Sequence, residues 1–376
     1  MRVLLLHNRY RAAGGEERVV DELAALLEER GDAVARVERV SAEATPARAA
    51  RALLHGGEPA AAAEVAEAVR AHGAEVLHAH NVHPLFGWRA LAAGRAAGAR
   101  VVLHLHNYRL SCAIGVAYRD GGPCHACQGR DTRPGLRHRC RGSLPEAAAY
   151  AAGLARQQPR LLDVVDRFVA VSDAHATRLV ALGVPEDRLD VVPNAVRAFA
   201  PETAAGDGGY ALAAGRLVEE KGFDIAVRAA RGAGVPLRIA GSGPQEMALR
   251  ELAAGADVRF LGHLDGEQLA AERRGAAALL APSRWEEPCP MVVVEALADG
   301  LPALGSDLGG LPELVGADGV VSARDEMAWA DALGALWRDP ALRTARGAAA
   351  LERARARHAP EIQYDALRRV YEAALA

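Results

Sequence analysis

The feature that most constrains this chain is an alternation of short apolar runs with helical periodicity, and it occurs twice. In the first half, residues 1–7 read as a buried strand, residues 8–15 as a loop, and residues 16–30 as an apolar-periodic helix. Further strands are predicted at 75–80, 100–106, 167–172 and 188–192, each followed by helical periodicity. Such alternation implies a parallel, doubly wound sheet with its ligand crevice at the carboxyl ends of the strands. A second series starts at 210–214 and continues at 237–240, 258–261, 277–280, 302–305 and 319–322. The chain has 376 residues, more than one core usually sustains. The expected layout is therefore an α/β domain over 1–195, a linker at 196–209, a second α/β domain over 210–358, and a C-terminal helix at 359–376 packing back on the first domain.

Composition narrows the class. Hydrophobic residues make up 51% and charged residues 25%, as in ordinary globular proteins. With a formal net charge of −3, the charge pattern is too weak to argue for a nucleic-acid partner, and none is expected. No apolar run reaches membrane-spanning length and the N-terminus enters a strand at once, so a cytoplasmic location is expected.

Polar groups mark the strand ends of the first half: His7 and Asn8, His80 and Asn81, and the run from His104 through His106 to Asn107. One histidine at a strand end is most often structural; several at one crevice edge favour function. Gly14 and Gly15 sit where backbone turns sharply or approaches a ligand. They do not form the GxGxxG dinucleotide fingerprint, which lowers the case for a nicotinamide enzyme.

Residues 107–144 break the alternation. This stretch holds Cys112, Cys124, Cys127 and Cys140 in the spacing C-x11-C-x2-C-x12-C. A central CxxC with two outer cysteines suits a structural four-thiolate zinc site, with His125 and His138 as substitutes for one ligand. Reduced, unliganded cysteines are the alternative, and disulfides are the weaker reading in a cytosolic chain. Arg130, Arg133, Arg137, Arg139 and Arg141 make the loop basic, which fits either a solvated surface or an acidic or membrane-attached acceptor.

Two stretches of the second half carry chemistry. After the first strand comes Gly215-Arg216-Leu217-Val218-Glu219-Glu220-Lys221-Gly222. Arginine offers a planar fork and lysine a point charge, a pair suited to a diphosphate. Lys221 is the chain's one lysine amid abundant arginine, either a chance survivor or a position that arginine cannot serve. Farther on, Pro290 suits a first helical turn, and the amides of Met291 and Val292 behind it form an anion-binding helix N-terminus. Glu287 and Glu295 flank that anion site. Phosphates between two carboxylates describe a nucleotide-diphosphate sugar, while the plain alternative is a surface helix with two solvated glutamates.

With these residues in order, the sequence resembles the retaining glycosyltransferases of glycosyltransferase family 4, which have the GT-B fold of two Rossmann-like domains facing across a cleft. The resemblance rests on Gly14 and Gly15, His106 in Leu-His-Asn-Tyr-Arg-Leu, Val192-Pro193-Asn194, Gly215-Arg216 with Glu220-Lys221-Gly222, Gly241-Ser242-Gly243-Pro244, and Glu287 with Glu295 seven residues beyond it, the EX7E motif. The cysteine loop is similar to that of a bacterial subgroup. The resemblance implies hexosyl transfer from a nucleotide-diphosphate sugar to an acceptor hydroxyl on a glycan, a lipid-linked molecule or a small molecule, in the cytoplasm or at the inner membrane face with peripheral contact. It assigns Arg216 and Lys221 to the diphosphate, Glu287 to the transferred sugar, Glu295 to the ribose, Met291 and Val292 to phosphate or ribose, and Gly241 and Gly243 to the base pocket. Gly14 and Gly15 would close over the sugar-phosphate, and His106 would lie beside the reacting sugar. No Asp-x-Asp occurs, so no catalytic cofactor is expected and zinc would be structural only. Departures are Ala195, where the family often has glycine, and Cys289, where it often has an aromatic residue. A nucleotide-sugar 2-epimerase and a non-catalytic nucleotide-sugar-binding protein are the alternatives.

Overall fold

A computed structural model describes residues 1–10 and 14–376 of the chain. Arg11 to Ala13, within the expected 8–15 loop, lie outside the described residues. The chain forms two compact units, one of Met1–Ala117, Cys124–Pro193 and Gln363–Ala376, the other of Tyr118–Pro123 and Asn194–Ile362.

The first unit is built on six parallel strands, β1 (Arg2–Arg9), β2 (Ala33–Val40), β3 (Val76–Ala79), β4 (Arg100–His104), β7 (Arg167–Ala170) and β8 (Leu189–Val191), in the order β2-β1-β3-β4-β7-β8. Strands β5 (Tyr118–Arg119) and β6 (Gly122–Pro123) form a separate antiparallel hairpin. Five of the six strands begin or end within two residues of their sequence expectation. The exception, β2, has no counterpart there: its Ala-Val-Ala-Arg-Val-Glu-Arg-Val sequence is mostly half-exposed, as an edge strand can be, and lacks an apolar run. The central strands β1 and β3 are buried on both faces and read as continuous apolar runs. The C-terminal helix Pro360–Leu375 inserts Leu367, Val370 and Tyr371 among Val3, Leu5, Val76 and Val102 of this sheet.

The second unit repeats the scheme with β9 (Ala211–Ala214), β10 (Leu237–Ala240), β11 (Val258–Gly262), β12 (Ala278–Ala281), β13 (Ala303–Ser306) and β14 (Val320–Val321), in the order β11-β10-β9-β12-β13-β14, all parallel. Two apolar layers flank it, one centred on Ile225, Leu237, Ile239 and Trp329, the other on Leu212, Leu279, Val294 and Leu297. Chain order reverses between β9 and β12 in this sheet, and between β1 and β3 in the first. Ligands of open α/β sheets bind at such switch points, outside the carboxyl ends. No helix of the described residues is long and apolar enough to cross a membrane.

Candidate active site

In the second unit, the loop after β9 carries Arg216 and Lys221, and the loop after β12 carries Ser283 to Pro290, so the switch point itself brings these segments together. Lys221 Nζ lies 2.6 Å from Glu287 Oε2, with Glu287 only 4% exposed. The hydroxyl of Ser283 donates to the other carboxylate oxygen of Glu287. Lys221 Nζ also lies 6.0 Å from the centroid of the Trp285 ring. Charge and hydroxyl together hold Glu287 in one orientation.

The two loops are tied by backbone and by charge. Arg284 N–H donates to Glu220 O at 2.8 Å, and the Arg284 guanidinium grips Asp224 through both nitrogens at 2.7 and 2.6 Å. Gly222 has φ 67°, and a Cβ there would collide with the Pro282 carbonyl oxygen. Only glycine suits both the left-handed backbone and that contact. Gly241, at φ 137°, meets the Gly215 carbonyl oxygen in the same way, so the Gly241–Gly243 turn lies against the Arg216 loop, where Leu217 N–H donates to Ser242 O at 2.9 Å. Arg216 itself is exposed, its nearest acid being Glu220 at 4.0 Å. Tyr118 on the β5–β6 hairpin donates its hydroxyl to Glu219 at 3.0 Å.

The helix Met291–Ala298 starts one residue later than the sequence suggests, because Pro290 is its N-cap rather than part of its first turn. The first intrahelical bond, from Val293 N–H to Pro290 O at 2.9 Å, leaves the amides of Met291 and Val292 ahead of the ladder, where an anion is favoured. Glu295 does not join Lys221 and Glu287. It pairs with Arg273 Nη1 at 2.7 Å, and Arg273 Nε meets Asp299 at 2.5 Å, with Arg273 and Glu295 both buried. Cys289 turns toward Asn194, bonding its backbone and side chain, and burial pushes its thiol up to about 12. Burial therefore favours the neutral thiol beside Asn194. Sequence reading missed Ser283, Arg273, Asp224 and Arg284; the surplus of arginine in the chain hides the two arginines.

In the first unit, the strand-end histidines assemble into a stack. His78 on β3 and His104 on β4 are joined by His80 and His106 just past the ends of those adjacent strands, with ring centroids 4.3 Å apart for His104 and His106 and 4.5 Å for His78 and His80. Alternation along each strand points the members of each pair to the same face. Burial, as the largest cause, holds all four well below the ordinary imidazole range, and neighbouring histidines add to it, so the stack is neutral. Beside it is a cavity of about 30 Å³ lined by Glu16, His80, His83, His106, Asn107 and Arg109. Glu16 receives hydrogen bonds from Tyr10 OH at 2.8 Å and Asn107 Nδ2 at 3.2 Å, yet burial raises its carboxyl to about 7. Gly14 N–H and Tyr10 N–H bind the two oxygens of Glu17 at 2.8 Å each, which fastens the start of the helix Gly15–Glu29.

Among the described residues, ring nitrogens of His78, His80 and His104 lie within 4.8 Å of one another. Their rings are stacked, with the His78 and His104 planes only 5° apart, so the in-plane lone pairs run side by side and do not converge on an ion. The four loop cysteines are reduced and half-buried, and burial raises the Cys127 thiol to about 11 with the other three adding to it. As placed, no three of these sulfurs fall within 4.8 Å of one another, so they are grouped without forming a closed ligand set. His125 and His138 are exposed.

Two parallel α/β units, each with polar groups gathered at its switch point, define the GT-B class of proteins. A family model described as Glycosyltransferase Family 4 matches residues 13–198, and one described as Glycosyl transferases group 1 matches residues 209–339. The chain is 36% identical over 229 residues to a D-inositol 3-phosphate glycosyltransferase of Nocardia farcinica, covering 53% of this chain and 50% of that one. It is 31% identical over 308 residues to a protein of the same description from Mycolicibacterium smegmatis, covering 73% and 67%. Across the first curated relatives, the match spans from about half to two thirds of their length. A sucrose-phosphate synthase from Thermosynechococcus elongatus shares the fold, with a TM-score of 0.74 at 19% identity over 99% of this chain and 98% of that one. The chain belongs to glycosyltransferase family 4.

Proposed function

We propose that this chain is a retaining, metal-independent glycosyltransferase that moves a sugar from a nucleotide-diphosphate sugar to an acceptor hydroxyl. The observation that carries the reading is the Lys221–Glu287 pair at the switch point of the second sheet, beside the open amides of Met291 and Val292. A lone buried carboxylate would be neutralised or repelled from phosphate; one paired with lysine and serine can face sugar hydroxyls while the ammonium serves the diphosphate. Arg216, exposed and without a close partner acid, is free to swing onto the same phosphates. Glu295, held by Arg273, presents its carboxylate to the ribose hydroxyls, and Gly241 and Gly243 border the base. In the first unit, Gly14 and Gly15 serve the sugar-phosphate, and His106 serves the reacting sugar.

In this reaction the acceptor oxygen bonds to the anomeric carbon on the face from which the phosphate departs. The anomeric carbon–phosphate oxygen bond breaks, and the acceptor proton passes to the departing phosphate oxygen. Lys221 and Arg216 stabilise the charge gathering there. The chain has no Asp-x-Asp pair to hold a divalent cation at the diphosphate, which supports metal independence. The four cysteines are assigned a structural role; one zinc there needs side-chain rotation to close the tetrahedron, and metal analysis of the full chain decides between about one equivalent and none.

The test is incubation of the full chain with UDP-, GDP- and ADP-sugars in EDTA, following nucleoside diphosphate release and the anomeric configuration of the product. Release with retained configuration supports the proposal. Inverted product, dependence on added cation, or no release or saturable binding with any donor overturns the corresponding part of it. Conversion of the donor to its 2-epimer would instead identify an epimerase.

A further inference from the structure

Among the described residues, His106 has one hydrogen-bond partner, its Nε2 lying 2.9 Å from Nδ1 of His80. Two neutral imidazoles joined in this way share one proton, so the ring that donates fixes the tautomer of the other. The surroundings of His80 decide which ring donates. His80 is 2% exposed, with rings of His78, His104 and His106 stacked at 4.5, 5.2 and 5.2 Å. Its Nε2 is buried and has no partner. His7, on the neighbouring strand, stands edge-on at 6.2 Å and makes no hydrogen bond to it.

Were His80 to accept at Nδ1, its own proton would sit on Nε2 as a buried N–H with nothing to donate to. His7 and His104 have no choice in this, since both ring nitrogens of each are buried without a partner; His80 has one, and because an unmet buried N–H is rarer and costlier than an unmet lone pair, its proton is favoured on the partnered nitrogen. With the proton on Nδ1, the only partnered nitrogen, His80 donates to His106 Nε2. His106, itself half-buried, must then carry its proton on Nδ1. The same pattern recurs one residue pair away. His78 has Nδ1 2.7 Å from the Tyr371 hydroxyl and a buried, unpartnered Nε2.

We propose that His80 is a positioning residue that locks His106 in its Nδ1–H tautomer, so that His106 meets its ligand as a neutral hydrogen-bond donor and not as a base. The inference rests on the proposed function only in taking that ligand to be the sugar and its phosphate. A donor at this place suits an acceptor atom, such as a sugar hydroxyl oxygen or a phosphate oxygen. It also leaves the departing phosphate as the group that takes the proton from the acceptor. Glu16 lines the same cavity as His106.

The tautomer is read directly by long-range proton–nitrogen correlation NMR on the full chain labelled with 15N-histidine. His106 is assigned by the signals lost in His106→Gln. The expected result at neutral pH is a proton on Nδ1 and a bare Nε2. In His80→Phe, which keeps a stacked ring and removes the donor, His106 should become a mixture of both tautomers, with kcat lowered roughly tenfold and donor KM little changed. A wild-type His106 with its proton on Nε2 overturns the proposal, and this arm needs no variant to fold. An unchanged tautomer or an unchanged kcat in a folded His80→Phe also overturns it. Because the NMR readout needs no turnover, a chain that transfers no sugar refutes the functional reading while the tautomer is still decided.

Discussion

At the scale of single residues, environment separates groups that look alike in sequence. Glu287 and Glu295 form one motif, yet the first is held by Lys221 and Ser283 and the second by Arg273. Arg273→Ala leaves Glu295 buried beside no cation of that pair, and a loss of about 3–5 kcal/mol is expected for breaking a buried pair from one side. Urea denaturation measures it; a loss within error of zero would show that solvent reaches the pair. Glu16 gives a pH signature. Its carboxyl titrates at 4.5 ordinarily and at about 7 in the folded chain, so between those values the folded state holds a proton that the unfolded state lacks. Stability therefore falls as pH rises through that window, with the penalty absent below 4.5 and full above about 7. Glu16→Gln should flatten the fall in thermal midpoint across this range; parallel wild-type and variant curves would contradict it. Lys221 and Glu287 were legible in the sequence because a solitary lysine and a spaced carboxylate pair stand out. Ser283 and Arg273 were not, since their partners are far away in sequence and neither residue type is unusual in this chain.

At the scale of elements, short apolar strands were legible wherever a strand is buried on both faces, as β4 and β12 are. The edge strand β2 escaped because its pattern follows an exposed surface. The loop of residues 107–144 shows a two-residue hairpin pair, an isolated Gln128–Asp131 bridge and the short helix Arg133–Arg137, so periodicity had little to report there. The connection of the Lys221 loop to the loop after β12 depends on backbone contact at Gly222. Gly222→Ala should cost on the order of 1–3 kcal/mol from the left-handed backbone and the collision with Pro282. It should also weaken nucleoside diphosphate binding, since the loop that carries Lys221 has to move. Full stability together with full binding in this variant would mean that the loop tolerates displacement.

At the scale of the whole molecule, two sheets of six parallel strands place their reversals of chain order where the polar residues gather. The fold class was legible because the alternation of strand and helix repeats, and each repeat carries the same physical instruction. The histidine stack was legible only as strand-end positions; its hydrogen bonds arise from strand pairing that no local pattern encodes. The proposed transfer depends most on Lys221 acting on the departing diphosphate. The most direct measurement is steady-state release of nucleoside diphosphate by wild type and Lys221→Ala with the donor that the panel identifies. The expected result is a loss in kcat on the order of 10²–10³, as for removal of one charge-stabilising donor, with a much smaller change in donor KM. Turnover by Lys221→Ala equal to wild type would contradict it.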